Sequence, residues 1–585
     1  MFSMWSLSAL GTLVSGLVLA ERIFAAPTCN TPSNRACWSP GFNINTDWEA
    51  STPSGTIRTY TFTVTEIDNW VGPDGAIKKK AMLINGAFPG PVIKADWGDT
   101  INVNVINSMT TNGTSIHWHG FRQLNNCIND GANGVTECPI PPGSSKTYSF
   151  RATQYGTSWY HSHFGSQYAN GVSGAIQING PASLPYDIDL GVFPITDWYY
   201  GAADQIQLRV NDRNNPFIPN APGSPPASDN VLFNGSNINP SGPGGTYYKV
   251  GLTANKRHLL RIINPSVENT FSVSLVGHSM TVVAADFVPV NAFTTNSLFL
   301  GIGQRYDVTI EGNQPVGNYW FNVTFSNPIC GRSNNANPAA IFRYAGAPNT
   351  NPTVPGTSPA DPACQDQTNF TPIVTRTAPI ASFTPSANDL PVTFDVNGDA
   401  TSVKWKVNNS AIRVDWSKPT LQYVLEGNSS YPREGNIIQL PNSNVWSIWL
   451  IENISPVPHP MHLHGHDFLI LGRSSPLPGL PAGAPRPFNP AVDTASLQTN
   501  NPLRRDSTML PGFGWLVVAF KTDNPGSWLF HCHIAWHVSQ GLSVQYLERL
   551  NNIPTAMTLA TITPNCNAWK NWYPTAPFKQ YDSGL

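Results

Sequence analysis

Proline and glycine recur so densely along this chain, 53 and 47 of 585 residues, that nearly every long helical window is interrupted. What remains between the breaks is short and alternating, as in Thr56 to Val64, Thr100 to Ile106, Phe271 to Val276 and Trp515 to Phe520. A period of two sends successive side chains to opposite faces, so these segments read as antiparallel strands of sandwiches or barrels. Helix is expected only in short pieces, such as Ala535 to Val538. Length allows about four domains at roughly 150 residues each, or three large β domains. The Gly180-Pro181 step followed by Pro185, and the Pro-rich stretch from about 347 to 362, mark three: 27–181, 182–365 and 366–585. Charged residues make up 12%, with 33 Lys+Arg against 35 Asp+Glu and a net charge of −2. That balance excludes a basic nucleic-acid binder and a polyacidic tail protein.

The address reads as secretory. Leu7 to Ala20 form one mostly apolar run ending in the small-residue pattern Val18-Leu19-Ala20, so residues 1–20 read as a signal peptide and 21–26 as a short propeptide. No later segment offers about 20 uninterrupted apolar residues, so no membrane span is expected. Sequons at Asn112, Asn234, Asn322, Asn369, Asn408 and Asn428 are candidate glycosylation sites. A seventh, Asn453, follows the strand pattern Val445 to Ile451 and is expected to stay bare.

Histidine carries the chemistry. Ten of the 13 histidines fall in four clusters: His117 and His119; His161 and His163; His459, His462 and His464; and His531, His533 and His537, with Cys532 among the last. Four such clusters are no accident of composition. On a strand, residues i and i+2 share a face and i+1 takes the other. Each His-x-His pair therefore projects together, and Cys532 points away from His531 and His533. One short strand can thus serve two metal sites joined covalently through Cys532. Cys532 with His459 and His537 makes the His2Cys set of a blue-copper electron-transfer centre, and the remaining eight imidazoles can hold three more copper ions. Ten imidazoles and one thiolate exceed what structural zinc sites use. His258, His278 and His466 lie outside this scheme and read as ordinary core or surface residues.

With Cys532 a ligand, seven cysteines remain, enough for three disulfides and one free thiol. Cys29 and Cys37 can close a small loop, and Cys330 and Cys364 a longer one. Cys566 needs a distant partner, and sequence arithmetic leaves Cys127 and Cys138 both open.

Taken together, His-Trp-His-Gly, His-Ser-His, His-Pro-x-His-Leu-His-Gly-His and His-Cys-His-x3-His resemble, in order, the four ligand segments of the multicopper oxidases, over essentially the whole mature chain. The resemblance is closest to the ascomycete-type laccases. It implies an all-β chain of three cupredoxin-like Greek-key domains and four copper ions. Type 1 copper falls to His459, Cys532 and His537, and type 2 to His117 and His462. One type 3 ion takes His119, His161 and His533; the other takes His163, His464 and His531. The axial position is Leu542, which offers no ligand atom and should raise the reduction potential. It further implies the pairing Cys138–Cys566 beside Cys29–Cys37 and Cys330–Cys364, with Cys127 left free. Asp582, Ser583, Gly584 and Leu585 resemble the tail that plugs the channel to the trinuclear site in that group. Glu268 matches a carboxylate kept near His537 to accept the phenol proton. Trp405 and Trp536 match pocket-lining positions, and Asp130 an acid that supplies protons near type 2 copper. The expected partners are phenols or aryl amines and dioxygen, acting on a secreted monomer. The rivals are a ferroxidase, which would want acidic residues around His459 and His537, and a secreted copper carrier, which would not need Cys532 bridging two sites.

Overall fold

Alternation becomes structure wherever it is unbroken. In the strand Thr100–Asn107, Ile101, Val103, Val105 and Asn107 face inward and the residues between them are only half-buried. The computed structural model describes residues 29–218, 221–325, 329–356, 364–396, 402–474, 485–554 and 557–585. The expected signal peptide and propeptide lie outside the described residues. The chain is mostly β. Beyond a two-stranded sheet at Cys37–Ser39, its strands form three pairs of sheets.

The first pair has four strands in each sheet, one centred on Ile57–Val71 and Thr100–Asn107, the other on Ser173–Asn179 and Gly156–His161. Between them pack Phe62, Ile93, Val103, Trp118, Tyr160 and Ile176, each contributing about 1.5–3 kcal/mol through the apolar surface it withdraws from water. The second pair, of six and five strands, is centred on Arg257–Ile263 and Asn318–Thr324. The third, also of six and five, is centred on Trp446–Asn453 and Gly526–Cys532. One core reaches across all three, joining Trp159 and Tyr168 to Tyr199 and Ile263 and to Phe530, Cys532 and Leu542.

The sheets are not purely antiparallel, as the alternation alone suggested. Ile57–Val71 runs parallel to Thr100–Asn107, Ile188–Trp198 to Arg257–Ile263, and Asp389–Asp395 to Trp446–Asn453. Alternating burial is the same for either direction, so pattern cannot report it; the connections decide. A second difference is the helix Leu559–Trp572, 14 residues long despite Pro564 inside it. A capping box at Thr558 and Thr561 starts it. The Cys138–Cys566 disulfide and the buried Trp569 fasten it, offsetting the hydrogen bond that proline removes.

Candidate metal centre

Two strand pairs bring the histidines together. In the first sandwich His117 pairs across from His161. In the third, His462 pairs across from His531, and Met461 from Cys532. The two pairs meet face to face: His117 stacks on His464 and His119 on His462, each with ring centroids 3.8 Å apart. Trp118, between its two histidines, turns into the first core, as strand alternation requires.

Around this cage five of the eight rings are anchored through Nδ1. His117 Nδ1 lies 2.8 Å from the Asp130 carbonyl and His462 Nδ1 2.7 Å from the Asp506 carbonyl. His464 Nδ1 lies 2.8 Å from Asp130 Oδ2, and His161 and His531 use the carbonyls of Ser162 and Cys532. In these five rings Nδ1 donates, so the lone pair sits on Nε2. The Nε2 atoms of His117, His161 and His462 are buried with no hydrogen-bond partner. His119 is turned over. Its Nε2 faces Asp506 Oδ1 at 3.2 Å, and its Nδ1 meets His533 Nε2 at 3.2 Å. Burial, then neighbouring imidazoles, holds His119, His163, His462 and His464 well below the ordinary histidine range; His531 is lowered to about 4, mainly by burial. Neutral rings with converging, unpartnered lone pairs and anchored second nitrogens are what metal ligation needs.

Donor atoms come within 4.8 Å of one another in the sets His163, His464, His531; His117, His462, His464; and His117, His119, His161. His161 is thus within reach of His117 and His119, its ring is 5.2 Å from that of His533, and His533 in turn reaches His119. The sequence pointed to neither Asp506 nor the second sandwich as parts of this cage. Arg305 grips Asp506 with both terminal nitrogens, 2.6 and 2.7 Å from its two oxygens. Gly303, at φ +84°, lies under His119, where a Cβ would come within 2.8 Å of the ring. A Gly-Gln-Arg turn carries no local mark of such a role, because the partner lies some 200 residues away in the chain.

The second candidate site lies behind Cys532. Its Sγ is 3.5 Å from His459 Nδ1 and 3.7 Å from His537 Nδ1, and the two nitrogens are 3.2 Å apart. Burial pushes the Cys532 thiol well up and lowers His459 to about 3, so a thiolate here needs a cation beside it. Three donors facing one point fit a His2Cys copper site. Leu542 is fully buried; its N–H donates to the His537 carbonyl, and its own carbonyl accepts from Cys532 N–H. His459 and Cys532 are 0% exposed and His537 4%, so His537 is the ring nearest to solvent. Trp405 packs across both histidines at 4.6 and 4.8 Å. Trp536, expected to line a pocket, is fully buried against Tyr199 instead, because it leaves its short helix on the core side.

The loop carrying Glu268 docks on that helix, the Val267 carbonyl accepting from Ala535 N–H at 2.9 Å. Asp197 shapes the loop by accepting from the backbone N–H groups of Val267, Glu268 and Asn269. Burial, then the Asp197 charge, pushes the Glu268 carboxyl well above the usual range, and its Oε2 is buried without a partner. Asp130 is fully buried between His117 and His464.

Cys29–Cys37, Cys138–Cys566 and Cys330–Cys364 are disulfides. Cys127 is a buried free thiol beside Met557 Sδ at 3.7 Å, pushed up to about 12 by burial. Ser583, Gly584 and Leu585 are buried between sandwiches one and three. Ser583 N–H donates to the Ser539 carbonyl, its Oγ to the Val538 carbonyl, and Trp416 Nε1 to the Gly584 carbonyl. His258 accepts from Thr253 N–H, His278 bonds Tyr344 Oη, and His466 pairs with Glu548. Asn369 and Asn408 are exposed, while Asn112, Asn234, Asn322 and Asn428 are half-buried. Asn453 is buried, its Nδ2 donating to the carbonyls of Val457 and Pro511.

Three sequence models, each described as multicopper oxidase, match residues 64–183, 189–347 and 390–552. Laccase-1 of Melanocarpus albomyces is 57% identical over 96% of this chain and 90% of its own length. Laccase-2 of Podospora anserina is 54% identical over 100% and 97%. The crystal structure of laccase from Botrytis aclada superposes with a TM-score of 0.86 at 37% identity, covering 95% of this chain and 99% of that one. Fet3p, described as a multicopper oxidase that functions in iron import, gives 0.77 at 25% identity over 88% and 95%.

Proposed function

Since the chain belongs to the multicopper oxidase family, we propose that it works as a laccase, oxidising phenols and aryl amines one electron at a time and reducing dioxygen to water. It is a copper oxidoreductase. Bound copper supplies the redox chemistry: it takes single electrons from the organic substrate and passes four to dioxygen, which with four protons gives two waters. We assign four ions, with His459, Cys532 and His537 holding the first. His117 and His462 hold the second, His163, His464 and His531 the third, and His119, His161 and His533 the last. The observation that carries the reading is Cys532 itself. Its sulfur faces His459 and His537, and its backbone neighbours His531 and His533 sit in the other cage.

This chain's residues then divide the work. His537, with its small exposed edge, receives the substrate. Glu268 accepts the phenol proton as the electron leaves, since a phenol radical cation is strongly acidic. Trp405 fixes the planes of His459 and His537. Asp130 and the Asp506 carbonyl hold His117, His464 and His462 in the tautomer that keeps Nε2 free. The tail Asp582 to Leu585, buried from Ser583 onward, closes the way to the cage, and Leu542 keeps a fourth donor from the His2Cys site. We place the three domains at 27–181, 182–365 and 366–585, and take the protein to be secreted and monomeric. Among the described residues no helix is long and apolar enough to cross a membrane.

The ferroxidase reading finds less support. Around His459 and His537 the lining is Trp405, Ile534 and Leu542, with Glu268 the acid on the adjoining loop. Steady-state oxygen uptake with a dimethoxyphenol against Fe(II) tests the choice. A laccase turns over the phenol with the higher kcat/KM; the reverse order would make this a ferroxidase, and no uptake with either would leave a copper carrier.

A further inference from the structure

A cavity of about 140 Å³ opens beside the tail, and aromatic rings wall it. Phe164 stacks on Trp416 with centroids 4.4 Å apart, and Trp569 stands edge-on to both, with Trp572 at 5.3 Å from Trp569. Phe578 and Tyr581, each 48% exposed, also line it, as does Leu208 at 43%. Among the described residues these two are the exposed aromatic side chains. Such residues gathered at one concavity mark a binding surface more often than chance exposure does. The volume sets the size of the guest, since a dry cavity of about 150 Å³ takes up one benzene ring.

The polar atoms set its chemistry. Lys80 is engaged by Asp68 and Glu66, and Lys579 by the carbonyls of Tyr573 and Pro574, so neither lining cation waits for an anion. Gln167 is satisfied through Thr114, Ser162 and Gly113. Asp204 and Trp569 are different, and Trp569 Nε1 is buried with no partner; Asp204 is the one that can accept. Its Oδ2 accepts from Gln205, but its Oδ1 is buried with no hydrogen-bond partner. A buried carboxylate oxygen without a donor is costly, and a ligand O–H can supply one.

We propose that this cavity is a second binding site for a single-ring aromatic bearing a hydroxyl, its ring lying among Phe164, Trp572 and Phe578 and its O–H donating to Asp204 Oδ1. None of the lining residues belongs to the His459–Cys532–His537 group, and the site does not depend on the laccase reading. A phenol held here would rest against Tyr581 and Asp582, at the base of the buried tail.

The probe is 4-fluorobenzyl alcohol, titrated by fluorine NMR into the full-length, copper-loaded protein, with crystals soaked in the same compound. We expect ring density between Phe578 and Trp572. Replacing Phe578 and Tyr581 together by Ser should weaken binding at least tenfold. Asp204→Ala should weaken the alcohol severalfold while leaving 4-fluorobenzyl methyl ether, which has no donor, unchanged. An unaltered blue absorption band in each variant shows that the fold is intact. An empty cavity at saturating probe, or a titration that the double variant leaves unmoved, overturns the proposal; equal losses of alcohol and ether in Asp204→Ala overturn the assigned acceptor.

Discussion

Glu268 and Cys532 are single side chains whose surroundings dictate what they can do. Burial, reinforced by Asp197, holds the Glu268 carboxyl well above the usual range. It is therefore protonated at low pH and accepts a proton only above that raised value. Phenol turnover should climb with pH along the acid limb. Glu268→Gln should flatten that climb and lower kcat/KM for phenols about a hundredfold, the low end for losing a positioned base. A non-phenolic one-electron dye has no proton to give, so its turnover should change little; parallel losses for both substrates would reduce Glu268 to a structural part. Cys532 lies where a buried thiol is neutral unless a cation is bound. Cys532→Ser should abolish the intense blue absorption and phenol oxidation together while the circular dichroism stays that of the parent. A Ser variant that remained blue would move the centre elsewhere.

At the scale of elements, the tail and the helix before it act as one fastening. The helix Leu559–Trp572 is tied to the first sandwich by Cys138–Cys566, and the chain then runs back so that Leu585 is buried beside Val414, Trp416 and Val538. Deleting Asp582 to Leu585 should slow oxygen reduction and disturb the spectrum of the trinuclear copper, with the type 1 band kept. Full copper content and unchanged turnover would leave the tail without a role. Asp582 adds a pH dependence. Burial raises its carboxyl to about 7, so the native tail holds the proton more tightly than the unfolded chain does. Its stabilising contribution is complete at acidic pH and is lost as pH rises through about 7. Melting temperature should fall more between pH 5 and 8 in the parent than in Asp582→Asn, which keeps an acceptor for Gly584 N–H without the charge; equal slopes would exclude Asp582 as the cause.

Across the whole molecule, the second sandwich contributes no proposed ligand yet braces the cage. Arg305 is fully buried and holds Asp506, which touches His119 and His462. Arg305→Met leaves that carboxylate buried without its partner and should cost about 3–5 kcal/mol in chemical denaturation. The type 2 copper signal in electron paramagnetic resonance should change while the blue band stays; an unaltered signal would make the pair a plain domain clasp. The sequence alone determined what is local. Strand alternation placed His117 with His119 and His531 with His533 and turned Cys532 away, because a period of two is a property of a few consecutive backbone units. The breaks at proline and glycine ruled out long bundles for the same reason. What lies between distant segments was decided only by tertiary structure: the parallel strand pairs, a helix that tolerates Pro564, the stacking of His117 on His464, and the reach of Gly303 and Arg305 to a site built by other domains. Packing and charge pairing across hundreds of residues leave no periodic trace in any one segment, so no reading of neighbours along the chain could contain them.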